Sequence, residues 1–317
     1  MPEDTYDEIL EFAYALAEDA GKLILEGAAK RWRAHQDYEV KKNPVDLVTE
    51  TDQAVEEFIK AAIVARYPGH KFIGEESSEG QARPVLTDEY TWIVDPIDGT
   101  MNFIHSNPMV GCSIGVVHRQ VPVVGVIAQP FLHRTFSAAA GRGAFMNRTT
   151  PLPLTGGIPQ PLTELNQCLI AAEWGSERSA DTMDRKINSF RTLNGDPDKG
   201  VAGGRFVHAL RTTGATTCNL VCVAAGELDI SWDAGCWAWD VAAAAVILKE
   251  TGAFFHGGKE LYARDAPIGE VLMSRRYVAV RALPPTATET TEQIQRRLAT
   301  ELYDAVEEWT TPSMVGY

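Results

Sequence analysis

The sequence predicts an α/β fold, with an N-terminal α+β lobe over residues 1–150 and a C-terminal α/β lobe over residues 151–317. Three observations carry the prediction. Apolar residues recur at helical spacing at both ends of the chain. In "VGCSIGVVHRQVPVVGVIAQP", two β-branched runs meet across His118-Arg119-Gln120, the mark of a hairpin in an antiparallel sheet. Past "NRTTPLPLTGGIPQPLT", whose Pro, Gly and Thr suit a connection between lobes, strand-like and helix-like runs alternate as in an α/β layer.

Thr5-x-x-Glu8 reads as a capping box, and Ile9, Ala13, Leu16, Ala20 and Leu23 follow on one face. The chain therefore opens on a long amphipathic helix that ends before the polar segment around His35 and Asp37. A second helix begins near Asp52, buries Val55, Phe58, Ile59, Ala62 and Ile63, and stops at "YPG". "HKFIGEESSEG" is a short strand running into an acidic loop, "TWIVD" is a buried strand, and "HRTFSAAAGRGAFMN" continues the sheet after the hairpin. In the C-terminal part, strands are expected near 168–172, 228–232 and 253–255, and helices near 181–193, 215–225 and 239–250. Ile294, Leu298, Leu302, Val306 and Trp309 define a last helix after Pro284-Pro285.

With 317 residues, 45% of them apolar, the chain can bury a sizeable core. Forty-three acidic against 29 basic side chains leave a net charge of −14, which disfavours nucleic acid or an anionic membrane as partner. An anionic ligand would need its charge neutralised by something else. The five cysteines are odd in number and form no C-x-x-C pair, as expected of reduced thiols in the cytoplasm. "MPEDTYDEIL" is acidic where a signal peptide is basic, and no apolar run approaches the ~20 residues of a membrane span. A cytoplasmic protein is the expectation.

Four acidic clusters punctuate the chain: Asp52, Glu75-Glu76, Asp95 with Asp98, and Asp233 with Asp240. Folding alone could ask for each of them. Asp52 and Asp240 precede apolar helical runs as N-caps do, Glu75-Glu76 suits a solvated loop, and Asp-Pro-x-Asp-Gly suits a turn. The Asp95–Asp98 pair asks for more, because it ends a buried strand where little water stabilises two like charges. A bound cation relieves that repulsion, and carboxylate, carbonyl and water oxygens are the set that Mg²⁺ prefers. If the chain after Asp98 turns into a helix, the amides of Gly99 and Thr100 offer an anion site beside the metal, and the combination suits a phosphate ester.

"GEES" at 74–77, "WIVDPIDGTMNF" at 92–103 and "WAWDVAAAAVILKETGA" at 237–253 resemble the motifs of the inositol monophosphatase family, in the lithium-sensitive, magnesium-dependent phosphatase superfamily. The resemblance runs from about residue 5 to 280. It implies a layered αβαβα sandwich of the inositol monophosphatase and fructose-1,6-bisphosphatase type, with the metal site between the lobes. It assigns Glu75, Asp95, Asp98, Asp240 and the Ile97 carbonyl to two or three Mg²⁺ ions, with Glu75 also among the catalytic groups. Thr100 and Asp52 match the pair that orients the attacking water, and Lys41 matches a lysine in the loop near the metals. The implied chemistry is direct attack by a water whose pKa Mg²⁺ lowers, with the Gly99 and Thr100 amides on the phosphate and no phosphoenzyme.

Substrate contacts depart from the better-known animal members. Gly214-Ala215-Thr216 aligns with a Gly-Thr-Ala segment, so the hydroxyl has moved by one position. Asp233 replaces a glutamate that binds inositol hydroxyls, Trp232, Trp237 and Trp239 add bulk, and Ser176 matches a serine at the rim. The reaction implied is hydrolysis of myo-inositol monophosphate, with Li⁺ inhibiting at a metal position around Asp98 and Asp240. Histidinol phosphate or a 3′-phosphoadenosine nucleotide is the alternative ester, and a non-catalytic regulatory member is the rival of another class. The partner is a small phosphate ester, with no nucleic acid or membrane, and the family resemblance implies a homodimer.

Two motifs point elsewhere. Gly111-Cys112-Ser113-Ile114-Gly115 matches G-x-S-x-G, but that elbow needs a strand-turn-helix setting, and a strand-turn-strand is expected here. Cys218 and Cys222 share a helix face and are assigned to the core.

Overall fold

The computed structural model describes residues 5–34, 39–41, 47–78 and 84–309. The first helix, α1 (Tyr6–Ala34), starts on the expected box: the Glu8 amide donates to the Thr5 hydroxyl at 3.3 Å and the Thr5 amide to the Glu8 carboxylate at 3.2 Å. The His35–Asp37 segment lies outside the described residues. Strands β1 (Glu39–Val40) and β2 (Leu47–Val48) pair with each other before α2 (Glu50–Arg66). Helix α2 buries Val55, Ile59 and Ile63, whereas Phe58, expected on that face, is 37% exposed. At 3.6 residues per turn, Phe58 stands about 100° from the centre of that stripe and Glu56 about 60°, so Glu56 is buried instead.

Strand β3 (Lys71–Gly74) runs into α3 (Glu75–Ser78), a single helical turn where an acidic loop was expected. Then come β4 (Thr91–Asp98), α4 (Thr100–Ile104), β5 (Gly111–His118), β6 (Val121–Gln129), β7 (Arg134–Ala139), β8 (Ala144–Met146) and β9 (Thr150–Pro151). Strands β3 to β9 form one sheet in chain order, parallel only between β3 and β4. His118 pairs with Val121, so the hairpin turn is the two residues Arg119 and Gln120, with φ of 51° and 62°; positive φ at both matches the twist of the flanking strands.

The second half gives β10 (Leu169–Ala172), α5 (Ala180–Asn194), β11 (Ala209–Arg211), α6 (Thr216–Ala225), β12 (Ile230–Ala234) and α7 (Ala238–Thr251). It continues with β13 (Phe254–Gly257), α8 (Lys259–Ala263), α9 (Ile268–Leu272), β14 (Arg276–Val280) and α10 (Thr291–Ala305). The sheet order is β11-β10-β12-β14-β13, with β14 antiparallel to both neighbours. Strands β11 and β14 were not expected. Helix α10 stops at Ala305, and Val306 and Trp309 are buried in an extended tail rather than in the helix.

The layers follow from alternation along the strands. Trp92 and Val94 of β4 pack under α1 and α2, while Ile93 faces α6 and α7. In the second sheet Ala279 faces those same helices, whereas Val278 and Val280 face α10. The result is an αβαβα sandwich, α1/α2, sheet, α6/α7, sheet, α5/α10. Helix α7 approaches the first sheet closely because four consecutive alanines, Ala242 to Ala245, lie in its buried run and β5 and β6 carry glycine below it. A Cβ on Gly115 would stand 2.8 Å from the Ala243 amide nitrogen, and one on Gly125 would collide with the Ala243 carbonyl. Among the described residues no helix is long and apolar enough to cross a membrane.

Candidate metal-binding active site

Residues 95 and 98 of a regular strand would face opposite sides, since side chains alternate. Here the ladder shifts register: Asp95 pairs with Ser113 but Asp98 with Gly111, so three steps on β4 oppose two on β5. This bulge restores parity and brings both carboxylates to one side. Pro96 sits in the bulge, where a missing amide hydrogen costs little, and the Ile97 amide donates to Asp95 Oδ1 at 3.0 Å.

Asp240 reaches the same place from α7. It is not the N-cap but the third residue of the helix, and its carboxylate accepts from the Trp237 amide behind it. Asp52 repeats the device on α2, accepting from the amide (3.0 Å) and the hydroxyl (2.5 Å) of the true cap, Thr49. Both aspartates are therefore locked by their helices.

Asp95, Asp98 and Asp240 each offer a carboxylate oxygen within 4.8 Å of the others. Burial, with added repulsion from Glu75 and Asp98, pushes the Asp95 and Asp240 carboxyls well above the usual range. Asp98 is pushed up to about 7 by burial, against the opposing hydroxyl and amide of Thr217, with Glu75 and Glu173 adding to the rise. Three buried acids so close are unfavourable as anions without a cation. An all-oxygen donor set fits a hard divalent ion such as Mg²⁺ better than a thiol-seeking metal.

Glu75 opens α3 and contributes to the field on all three aspartates, but it lies outside the set whose oxygens are all within 4.8 Å. Lys41 explains its position, donating to Glu75 Oε1 at 3.1 Å and Glu76 Oε1 at 2.8 Å. Glu76 rises to about 8 through burial and Glu75, opposed by Lys41. Glu56 fixes the turn, accepting from the amides of Glu76 and Ser77, both at 2.8 Å.

The Thr100 hydroxyl lies 3.2 Å from Asp52 Oδ1 and 3.3 Å from the Ile97 carbonyl, two acceptors for its one hydrogen. Burial raises Asp52 to about 6, with Thr49 opposing and Glu75 adding. Gly99 starts α4 with φ of 86°, and a Cβ there would stand 2.9 Å from the Met109 carbonyl, so only glycine fits comfortably.

On the neighbouring wall Gly214, with φ of 83°, backs onto Asn102, Ala215 caps α6, and the Thr216 hydroxyl donates to Asp233 Oδ2 at 2.7 Å. Burial and Glu173 raise Asp233 to about 6, against the Thr216 bond. Ser176 is exposed on the loop after β10; its neighbour Gly175 lies beside the end of β12, 3.8 Å from the Ala234 carbonyl measured from an added Cβ.

Four positioning groups escaped the sequence reading. Thr217 holds Asp98 Oδ2 with both amide (2.6 Å) and hydroxyl (2.5 Å). Glu173 gathers the Thr213 and Gly214 amides and the Asn219 side chain on one oxygen, at 2.8, 3.0 and 2.7 Å. Asn102 ties α4 to that loop through the Met109 and Thr213 carbonyls at 2.7 and 2.8 Å, and Glu56 holds the α3 turn through the Glu76 and Ser77 amides. A signal existed for two of them: "LIAAE" ends a buried strand on an acid just as "WIVD" does, and Thr217 is a polar intrusion in an apolar helix. Ser113, by contrast, is fully buried between strands with its hydroxyl on the Trp239 carbonyl at 2.9 Å, which excludes the elbow, and Cys218 is core.

The inositol monophosphatase family model matches residues 5–307. Protein qutG of Emericella nidulans is 43% identical over 317 residues, 96% of this chain and 95% of that protein. Inositol monophosphatase 2 of Saccharomyces cerevisiae is 40% identical over 255 residues, 78% of this chain and 80% of that one. An IMPase structure from Thermotoga maritima superimposes with a TM-score of 0.70 at 22% identity, covering 94% of this chain and 99% of that chain, a likeness of fold alone.

Proposed function

The chain belongs to the inositol monophosphatase family and is a phosphatase of that superfamily, and from this premise we propose that it hydrolyses myo-inositol monophosphate with Mg²⁺. The observation that carries the reading is the convergence of Asp95, Asp98 and Asp240 within 4.8 Å beside a Thr100–Asp52 hydrogen bond of 3.2 Å. A binding module has no use for both. Asp95, Asp98, Asp240, Glu75 and the Ile97 carbonyl would hold the cations, which supply positive charge to the phosphate oxygens and acidify the attacking water when bound.

The chain's own groups do the rest. Thr100, with its hydrogen on Asp52, has lone pairs free to orient a water, and Asp52, raised to about 6, is a carboxylate near neutral pH that can share that water's proton. The Gly99 and Thr100 amides at the start of α4 would face the phosphate, and Lys41 balances the negative charge of Glu75 and Glu76. Thr216, Asp233 and Ser176 receive the alcohol, with Gly214 and Ala215 shaping the wall.

The Thr216–Asp233 bond is the feature that favours a second ester, since it occupies a hydroxyl acceptor of the alcohol site. A panel of myo-inositol 1-phosphate, histidinol phosphate and a 3′-phosphoadenosine nucleotide, each with Mg²⁺, separates the readings. The expected result is fastest turnover of the inositol ester, inhibited by millimolar Li⁺. Fast turnover of another ester with negligible turnover of this one would replace the substrate, unchanged rates with Li⁺ would remove the lithium site, and no phosphate release from any would favour a regulatory member.

A further inference from the structure

The tail beyond α10 is fastened at each residue. The Glu307 amide donates to the Ser189 hydroxyl of α5 at 2.8 Å. The Glu308 carboxylate accepts from the Lys259 amide at 2.9 Å and from Arg276 at 3.3 Å, and Arg276 also donates to the Trp309 carbonyl at 2.9 Å. So much fixing of an irregular segment orders one side chain in particular. Trp309 is 3% exposed, and its ring meets Trp232 edge-on with centroids 5.6 Å apart. Trp232 immediately precedes Asp233.

The same ring receives the Lys186 ammonium, 4.7 Å from its centroid. Lys186 is a fully buried lysine on α5 that the phosphatase chemistry does not use. It donates to the carbonyls of Trp174 and, at 2.7 Å, Glu177, which bracket Ser176. Burial, reinforced by Arg178, lowers its pKa to about 8 despite Asp233 and Glu177, and the electron-rich ring face is a favourable neighbour for the ammonium form.

We propose that Trp309 is a positioning residue for the alcohol end of the site, setting Asp233 through Trp232 and the Ser176 loop through Lys186. The proposal rests on the reading above that Ser176 and Asp233 receive the alcohol. An aromatic that only filled core would, when removed, weaken turnover of both esters alike. A positioning residue loosens one loop and weakens one half of the substrate.

The test compares wild type, Trp309→Ala and Trp309→Phe by hydrogen exchange, and by steady-state kinetics with myo-inositol 1-phosphate and with p-nitrophenyl phosphate, which has no polyol. In Trp309→Ala, exchange of the 173–179 amides is expected to rise roughly ten-fold or more while that of 91–104 stays put. KM for the inositol ester should rise about ten-fold with kcat within about two-fold, p-nitrophenyl phosphate should be unaffected, and Trp309→Phe should recover most of the loss. Unchanged loop exchange, or equal losses on both esters, would overturn the proposal. If Trp309→Ala does not fold, Lys186→Met, which keeps the stem and loses the two carbonyl bonds, must show the same loop-selective exchange or the proposal falls. A wild type that hydrolyses neither ester would refute the phosphatase reading, while the exchange data would still decide whether Trp309 holds the loop.

Discussion

Asp95→Asn is expected to lower Mg²⁺-dependent phosphate release by roughly a thousand-fold or more, and at the same time to raise the melting temperature of the metal-free protein. The two effects have one cause. Asparagine keeps an oxygen for the Ile97 amide bond of 3.0 Å but removes a charge from a site where burial and Glu75, Asp240 and Asp98 all oppose it. The pH dependence follows the same sign. A carboxyl whose native pKa is raised stabilises the fold fully below its unfolded value and loses that contribution as pH climbs through the native one. For Asp98 the window runs from the ordinary 3.8 to about 7. Metal-free wild type should therefore melt lower at pH 8 than at pH 5, Mg²⁺ should reverse the loss, and Asp95→Asn should flatten the slope. Melting curves in a chelator at both pH values, with phosphate release measured beside them, check this. Full activity in the variant would reduce Asp95 to a turn residue.

Gly125→Val carries the largest expected cost to the fold. Strand propensity favours valine over glycine at an interior strand position by up to about 1 kcal/mol, so a purely local view predicts stabilisation. Packing predicts the opposite. The added Cβ would collide with the backbone carbonyl of Ala243, which cannot swing aside as a side chain could, and overpacking of this kind costs roughly 3 kcal/mol or more. Packing should win, giving insoluble protein or a melting point lower by about 5 °C or more. A variant as stable as wild type would mean that α7 is not held against the sheet as described.

The contrast between these two positions shows what the sequence could and could not convey. Asp95 was legible because an acid ending a buried strand violates the local pattern, and the violation is itself the signal. Asp52 and Asp240 were visible as acids at helix starts, but their place as third residues depended on where each helix began, which a capping signal fixes only to within a residue or two. Gly125 gave no warning, because what forbids a side chain there is a helix more than a hundred residues away. Thr217 and Glu173 likewise act through partners far off in sequence, 119 and 40 residues away. Strand β11 escaped notice because three residues, "ALR", carry no period, and Trp309 was read as one more helical apolar position because its spacing continued that of α10 beyond the helix. Local chemistry was readable, and long-range contact was not.

The central claim is that acids from β4 and α7 meet to hold divalent cations. Its most direct test is a crystal soaked in Mn²⁺ and measured at a wavelength where manganese scatters anomalously. The account predicts at least one strong peak in bonding distance of Asp95, Asp98 and Asp240. Their carboxylates standing bare at millimolar Mn²⁺, with the ion absent or bound elsewhere, would contradict it.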